Sequence, residues 1–213
     1  SIYDLKKDEF YECIADMCSK QRKDNRALAF AFILYDLENP QIFKILKDSD
    51  YWNALNSISG NFLSIFYIHT RETTFGEDLA KISSYEQRSM HPIETDRKLS
   101  VVLPMLKKYL ELNEEVQLPS ILFFQVEDTC ISDYFLIKLY EENIEEGFNE
   151  LKNYILSART GLRMIDPDNF NNTELIFKSL KNGVNPERFK RVFFKHVQKF
   201  PVKILISWII GKV

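Results

Sequence analysis

Residues 27–36 read ALAFAFILYD, a continuous apolar run that ends in an aspartate. A run of this length is typical of a strand that is buried on both faces. The pair Asn39-Pro40 then predicts a helix with proline at its first position, and Gly60 predicts where that helix ends. Residues 62–68, FLSIFYI, predict a second buried strand. Two buried strands on either side of a helix predict a parallel pair joined by a right-handed crossover.

Downstream of this unit, the pattern predicts one helix, two strands and a further helix. Residues 96–112 have apolar residues at helical spacing. Residues 120–126 and 131–140 are apolar runs joined by a short polar link, which predicts an antiparallel hairpin. Asn143 and the glutamate three residues later resemble a capping box, which predicts the start of the last helix. The predicted order is therefore β-α-β, helix, β-β-α.

Helices are predicted on both sides of this α/β region. Residues 3–23 have the spacing of an amphipathic helix, and residues 71–92 form a polar excursion without clear periodicity. After Pro167 the spacing predicts helices only, over residues 172–182, 187–200 and 202–210. The chain is thus predicted to have three parts: an N-terminal helix (1–25), an α/β domain (26–158) and a C-terminal helical extension (159–213).

The stretch LPSILFF at residues 118–124 places a proline directly before a buried strand. Proline cannot donate a hydrogen bond to a strand ladder, and a cis bond turns the chain sharply. Together with the element order, this stretch resembles the thioredoxin-like fold family, in which a cis-proline precedes the third strand. The resemblance covers about residues 26–158. It implies a thioredoxin-like α/β fold with a cis bond between Leu118 and Pro119.

The resemblance also implies where a redox motif should lie, at the start of the first helix. The sequence there reads LENPQ at residues 37–41. If Pro40 takes the place of the motif's proline, Glu38 and Gln41 stand where the two cysteines should be. Thiol–disulfide exchange needs a thiolate, so the family's redox role is not expected here. The resemblance implies instead a groove that grips extended peptides, formed by Glu38, Asn39, Pro40, Gln41, Leu118 and Pro119.

The remaining residues with reactive side chains form no recognisable motif. The cysteines and histidines are Cys13, Cys18, Cys130, His69, His91 and His196. Their spacing matches no metal-binding or redox motif, and the sequence contains no glycine-rich phosphate loop, so we expect neither a metal nor a cofactor. An odd number of cysteines favours a reducing compartment, which predicts a cytoplasmic location. The sequence contains no apolar run of 18 residues, so no transmembrane helix is predicted.

The C-terminal residues are strongly basic. Residues 175–213 contain nine Lys and Arg against one acid, Glu187, for a net charge of +8, whereas residues 1–174 carry −11. Aromatic residues are interleaved with these bases, as in proteins that bind nucleic acids or membrane surfaces. Opposite charges within one chain favour instead the docking of this tail on the chain's own acidic domain. At helical spacing, the docking stripe is predicted to be Phe189, Val192, Phe193 and Val197.

Three classes of function follow from these patterns. The leading interpretation is a non-enzymatic, redox-inactive thioredoxin-like protein that binds another protein as an interaction or scaffold module. The first alternative is an enzyme on the same scaffold, such as a glutathione-type transferase, and a deep polar cleft would favour it. The second is nucleic-acid or membrane-surface binding through the basic tail, and an exposed aromatic and basic face would favour that. A tail packed on the core favours the interaction protein.

Overall fold

The computed structural model describes residues 18–24, 26–35, 40–70, 89–95, 117–127, 130–184, 192–195 and 200–201. Seven strands form one sheet: β1 (Ala29–Leu34), β2 (Leu63–Thr70), β3 (Met90–Thr95), β4 (Ser120–Glu127), β5 (Cys130–Lys138), β6 (Val192–Lys195) and β7 (Phe200–Pro201). One face of this sheet carries the helices α1 (Pro40–Lys47), α2 (Ser49–Ser59), α3 (Ile144–Arg163) and α4 (Thr173–Val184). The predicted mixed α/β class is confirmed.

β1 lies in the interior of the sheet, whose order is β3-β2-β1-β4-β5-β6, with β7 also paired to β5. β1 and β2 are parallel, from Ala29 opposite Leu63 to Ile33 opposite Tyr67. The predicted parallel pair is therefore confirmed. β4 runs antiparallel to β1, and β5 runs antiparallel to β4, which confirms the predicted hairpin.

The connection between β1 and β2 contains two helices where the sequence predicts one. Asp48 separates them because its backbone is extended, with φ −76° and ψ 126°. Its carboxylate accepts hydrogen bonds from the backbone N–H groups of Asp50 and Tyr51, so it caps the start of α2. Gly60 ends α2 as predicted, and its φ of +62° is a conformation that glycine adopts without steric cost.

One face of the sheet packs against all four helices. Ala29, Ala31 and Ile33 of β1 point into this core, where they meet the apolar faces of α1 to α4. Trp52 of α2 is also buried there, and its Nε1 donates a hydrogen bond to the Tyr67 hydroxyl at 2.8 Å. The core is therefore built from alternate residues of the strands, with aromatic side chains filling the space under the helices.

The opposite face of the sheet is buried as well. Phe32 of β1 packs against Phe66 of β2 at 5.1 Å and against Phe124 of β4 at 5.5 Å between ring centroids. The helical segment 18–23 contacts this face, where the Arg22 guanidinium lies over the ring of Phe30 in β1. Burial on both faces explains why residues 27–36 are a continuous apolar run.

β3 is a strand that the sequence does not predict. Its residues, MHPIET, include a proline and show no alternation of apolar and polar residues, so Met90 to Pro92 are predicted to belong to the polar excursion. β3 nevertheless pairs in parallel with β2, from Ile65 opposite Met90 to Thr70 opposite Thr95. The pairing satisfies backbone N–H and C=O groups along β2, which is a requirement that a local pattern does not reveal.

The helix predicted over residues 187–200 is wrong at β6 and at Phe200. β6 pairs antiparallel with β5, with Val192 opposite Ile137 and Lys195 opposite Tyr134. A run of valine and two phenylalanines has high strand propensity, and the open side of β5 gives it a partner. The predicted stripe of Phe189, Val192, Phe193 and Val197 assumed a helix, so it is wrong at Val192 and Phe193, which lie in a strand. β6 pairs with β5 of the same chain, so these four residues lie on the chain's own sheet, and the docking of the rest of the tail stays a prediction.

Several predictions fall on residues outside the described ranges. They concern the helix predicted over 96–112, most of the helix over 3–23, the stripe residues Phe189 and Val197, and the helix over 202–210. The helix predicted over 172–182 is confirmed as α4. In the described part of the chain, no helix has the length and apolar character needed to cross a membrane.

Candidate binding site at the Pro119 end of the sheet

Three strand ends meet at one end of the sheet. Leu34 at the end of β1 pairs with Ser120 at the start of β4, and Ser120 pairs with Lys138 at the end of β5. The connection 139–143 leaves β5 from here and contacts both the residue before β4 and the first turn of α1. We call this end of the sheet the Pro119 site and define it by these residues: Pro40, Gln41, Leu118, Pro119 and Glu141.

The Pro119 site contains four of the six residues that the resemblance implies for a groove. Pro40 is exposed and begins α1, and Gln41 beside it is half-buried. Leu118 is half-buried, Pro119 is buried, and the bond between them is cis, as the resemblance predicts. The other two predicted residues, Glu38 and Asn39, are outside the described residues.

The segment before β4 is fixed to the end of β5 by hydrogen bonds. The carbonyl of Pro119 accepts a hydrogen bond from the backbone N–H of Leu139 at 2.8 Å. The Ser120 hydroxyl donates to the carbonyl of Gln117, and the ammonium group of Lys138 donates to the Gln117 side-chain carbonyl. These bonds hold Leu118 at the surface of the site as a half-buried apolar side chain.

A carboxylate from the β5–α3 connection caps α1. Glu141 Oε2 accepts a hydrogen bond from the backbone N–H of Ile42, in the first turn of α1, at 3.1 Å. α1 has no acidic residue in its own first turn, so Glu141 supplies the negative charge that stabilises a helix N-terminus. Sequence reasoning missed Glu141, because no local pattern links it to a helix that lies 99 residues away along the chain.

A second glutamate supports the same connection. Glu150 of α3 accepts a hydrogen bond from the backbone N–H of Tyr140, which is the residue next to Glu141. Burial raises the pKa of Glu150 from 4.5 to about 7, although the hydrogen bond from Tyr140 acts in the opposite direction. Burial also raises the pKa of Tyr154, which lies one turn further along α3, and the nearby Glu150 and Tyr140 add to that shift.

An amide oxygen at the site lacks a hydrogen-bond partner among the described residues. The Gln41 Oε1 atom is buried and accepts no hydrogen bond there. Tyr140 is 54% exposed on the nearby connection, and Lys138 lies over its ring at 5.4 Å from the centroid. The surface that the site offers to a ligand consists of a half-buried leucine and an exposed aromatic ring.

The cysteines in the described residues lie away from the Pro119 site. Cys18 is 2% exposed on the opposite face of the sheet, and burial raises the pKa of its thiol to about 12, although Arg22 lowers it. Cys130 begins the nine-residue strand β5, so it lies about 26 Å from Lys138 at roughly 3.3 Å per residue. Cys13 is outside the described residues. A thiol poised for exchange at this site is therefore absent from the described residues.

A polar cluster on the opposite face joins segment 18–23 to the sheet. The Gln21 amide nitrogen donates to His91 Nε2 at 3.2 Å, and Gln21 Oε1 accepts a hydrogen bond from the Ser64 hydroxyl. Arg22 donates to Gln125 Oε1 at 2.8 Å and to main-chain carbonyls of the sheet. His91 therefore has a structural role, and the described residues contain no group of three His, Cys, Asp or Glu that could hold a metal ion.

Comparisons with protein-family models, with curated proteins and with solved structures found no match to this chain. The function must therefore follow from the chemistry of the site, because a fold class alone hosts many functions.

Proposed function

We propose that this chain is a redox-inactive thioredoxin-like protein whose Pro119 site binds an extended segment of another protein. The observation that carries the proposal is the convergence of a proline before β4, the first turn of α1 and the β5–α3 connection at one end of the sheet. The parallel β1–β2 pair, the β4–β5 hairpin and the helix after it also follow the order that the resemblance implies.

Two features support a site that does not exchange disulfides. Gln41 stands where the resemblance implies a cysteine, and the described cysteines lie elsewhere. Glu141 also places a carboxylate at the first turn of α1. A negative charge at that point opposes the formation of a thiolate, because it offsets the positive end of the helix dipole.

The side chains of the site fit an extended peptide. Such a segment carries backbone N–H donors along its length and side chains on alternating sides. Leu118, directly before the proline, and Tyr140, in the β5–α3 connection, offer apolar surface. We therefore propose a protein partner, and no cofactor or metal is needed for this role.

The position of the C-terminal elements on the sheet also supports a protein partner over the alternatives. β6 pairs with β5, so part of the basic C-terminal region is used within the sheet of this chain. α4 also packs on the helix-bearing face, with Ile176, Leu180 and Val184 buried. The described residues give no observation that favours nucleic-acid binding or a glutathione-type transferase over the interaction module.

The proposed site can be mapped by photo-crosslinking in native cell extract. A photoreactive amino acid at Gln41 should crosslink to a protein partner, because this half-buried residue belongs to the proposed site. The same group at Met164, which is 84% exposed at the end of α3, is the matched control and should give background yield only. Products are identified by mass spectrometry.

The outcome separates the proposal from its alternatives. A photoreactive amino acid at a third position, Lys190, tests whether the basic tail contacts a nucleic acid. Equal protein crosslinking from Gln41 and Met164 would contradict a specific site at Pro119. Crosslinks to RNA or DNA from Lys190, together with none to protein from Gln41, would favour the nucleic-acid alternative.

A further inference from the structure

The exposed tyrosine of the β5–α3 connection has a backbone that is fixed from two directions. The N–H of Leu139, the residue before it, donates to the carbonyl of Pro119 at 2.8 Å. The N–H of Tyr140 itself donates to the side-chain carboxylate of Glu150. Consecutive Cα atoms are about 3.8 Å apart, so the backbone of Tyr140 lies directly beside the residue that bonds to Pro119. The ring therefore projects from a point that is fixed at the Pro119 site.

The ring of Tyr140 is held as well. The ammonium group of Lys138 lies over it at 5.4 Å from the centroid, and the same group donates a hydrogen bond to the Gln117 side-chain carbonyl. Gln117 directly precedes Leu118 and Pro119 in the chain. Lys138 therefore connects the ring to the segment that carries the cis-proline.

Tyr140 is nevertheless open to a partner, because it is 54% exposed. A tyrosine side chain has few torsions, and here Lys138 already restricts them, so a partner that packs on the ring loses little conformational freedom. Aromatic side chains of this kind often dominate the energy of an interface. The other large apolar side chains that are exposed among the described residues, Leu156 and Met164, lie further along α3 than Glu150.

We propose that Tyr140 is the main contact residue of the Pro119 site and that its ring receives an apolar, uncharged side chain of the extended partner segment. The inference rests on the proposed function and names the residue and the side-chain chemistry on which binding depends. Lys138 already places a positive charge over the ring, which opposes a second cation there. The carboxylates of Glu141 and Glu142, which follow Tyr140 directly, oppose an acidic side chain.

Short random peptides displayed on phage and selected on the full chain provide a defined probe. A selected peptide belongs to the Pro119 site if it crosslinks from a photoreactive amino acid at Gln41, and its affinity is measured by fluorescence polarisation. Tyr140→Ala should weaken this binding by at least about ten-fold. Tyr140→Phe, which keeps the ring, and Met164→Ala, a matched change at an exposed apolar residue, should each change it by less than about two-fold.

The outcomes distinguish this inference from the function on which it rests. A peptide that crosslinks from Gln41 but binds Tyr140→Ala as tightly as the wild type would overturn the inference alone. The same holds if the selected peptides share a charged residue and bind more tightly with it than with leucine in its place. If no peptide crosslinks from Gln41, the proposed function is contradicted as well.

Nuclear magnetic resonance on the wild type keeps the test decisive if Tyr140→Ala does not fold. Addition of a peptide that crosslinks from Gln41 should shift the ring signals of Tyr140, because the partner packs on this ring. The methyl signal of Met164, at the far end of α3, should stay unchanged. Ring signals of Tyr140 that do not move at saturating peptide would overturn the inference.

Discussion

Replacing Gly161 by alanine should lower the free energy of unfolding by about 3 kcal/mol, because α3 and α4 cross there with their backbones in contact. A Cβ atom at Gly161 would lie 2.4 Å from the carbonyl oxygen of Ser179 and 2.9 Å from Gly183 Cα. Gly183 is packed in the same way, since its Cβ would lie 2.6 Å from the carbonyl oxygen of Ser157. Backbone atoms cannot turn aside as side chains do, so the helices must separate.

Separation of these helices also exposes apolar surface. Ile176 and Leu180 of α4 are fully buried, and they lose contacts as the helix moves outward. Alanine has a higher helix propensity than glycine by about 1 kcal/mol, so the loss from packing must exceed that gain. Unfolding in guanidinium chloride measures the net change as a shift in the midpoint.

Gly147 provides a matched control within α3. A Cβ atom there would lie 3.3 Å from Ile45 Cδ1, which is the end of a flexible side chain. Gly147→Ala should therefore change the free energy of unfolding by about 1 kcal/mol or less in either direction. If Gly147→Ala were as damaging as Gly161→Ala, the close crossing of α3 and α4 would not be the cause.

Replacing Trp52 by alanine should lower the free energy of unfolding by about 4 kcal/mol, which is the upper range for a large buried side chain. Trp52 is 1% exposed in the core, and its indole N–H donates to the Tyr67 hydroxyl at 2.8 Å. Alanine leaves a cavity and removes the hydrogen bond together. In a chain of this size the melting temperature should fall by about 10 °C.

Two milder variants distinguish the cost of the cavity in the core from the cost of the lost hydrogen bond. Tyr67→Phe keeps the packing and removes the hydroxyl, so it should cost about 1 kcal/mol. Met164→Ala, at an exposed position, should shift the melting temperature by about 2 °C at most. A loss in Trp52→Ala no larger than that in Tyr67→Phe would show that the indole does not fill a tightly packed core.

Local sequence patterns predicted the centre of the sheet well. Residues 27–35 are all buried, and a strand that is buried on both faces can be predicted from its continuous apolar composition. The hairpin of β4 and β5 is also visible from two apolar runs and a short link. The split between α1 and α2 was missed because Asp48 looks like any polar residue of an amphipathic helix until its cap is seen.

The strands at the two edges of the sheet were harder to predict. β3 and β6 are short, and each forms because an adjacent strand offers unpaired backbone groups. Val192 and Phe193 fit a helical pattern with Phe189 and Val197 in the sequence, but they lie in a four-residue strand. Tertiary context decides the conformation of such short segments more than their propensity does.

Residues near the Pro119 site were predicted only in part. Pro40, Gln41, Leu118 and Pro119 belong to local motifs, so the resemblance could indicate them. Glu141 contacts α1 across a large separation in sequence, and a glutamate after a strand carries no local signal of that contact. The state of Glu150 depends on burial, which the sequence does not report.

The central claim is that the Pro119 site is a thioredoxin-like site from which the thiols are missing. It is tested by rebuilding the motif with Glu38→Cys and Gln41→Cys in one chain. A second chain carries Glu142→Cys and Glu145→Cys, which have the same spacing at the start of α3 and serve as the matched control. All chains are assayed for reduction of a disulfide substrate by dithiothreitol.

The wild type should reduce the substrate at the uncatalysed rate. The chain with cysteines at positions 38 and 41 should be several-fold faster than the wild type and than the control pair, because the resemblance implies that these two positions carry the redox motif beside the cis-proline. Wild-type activity equal to that of an ordinary thioredoxin would contradict redox inactivity. A rate for the 38 and 41 pair no higher than that of the 142 and 145 pair would contradict the assignment of the site.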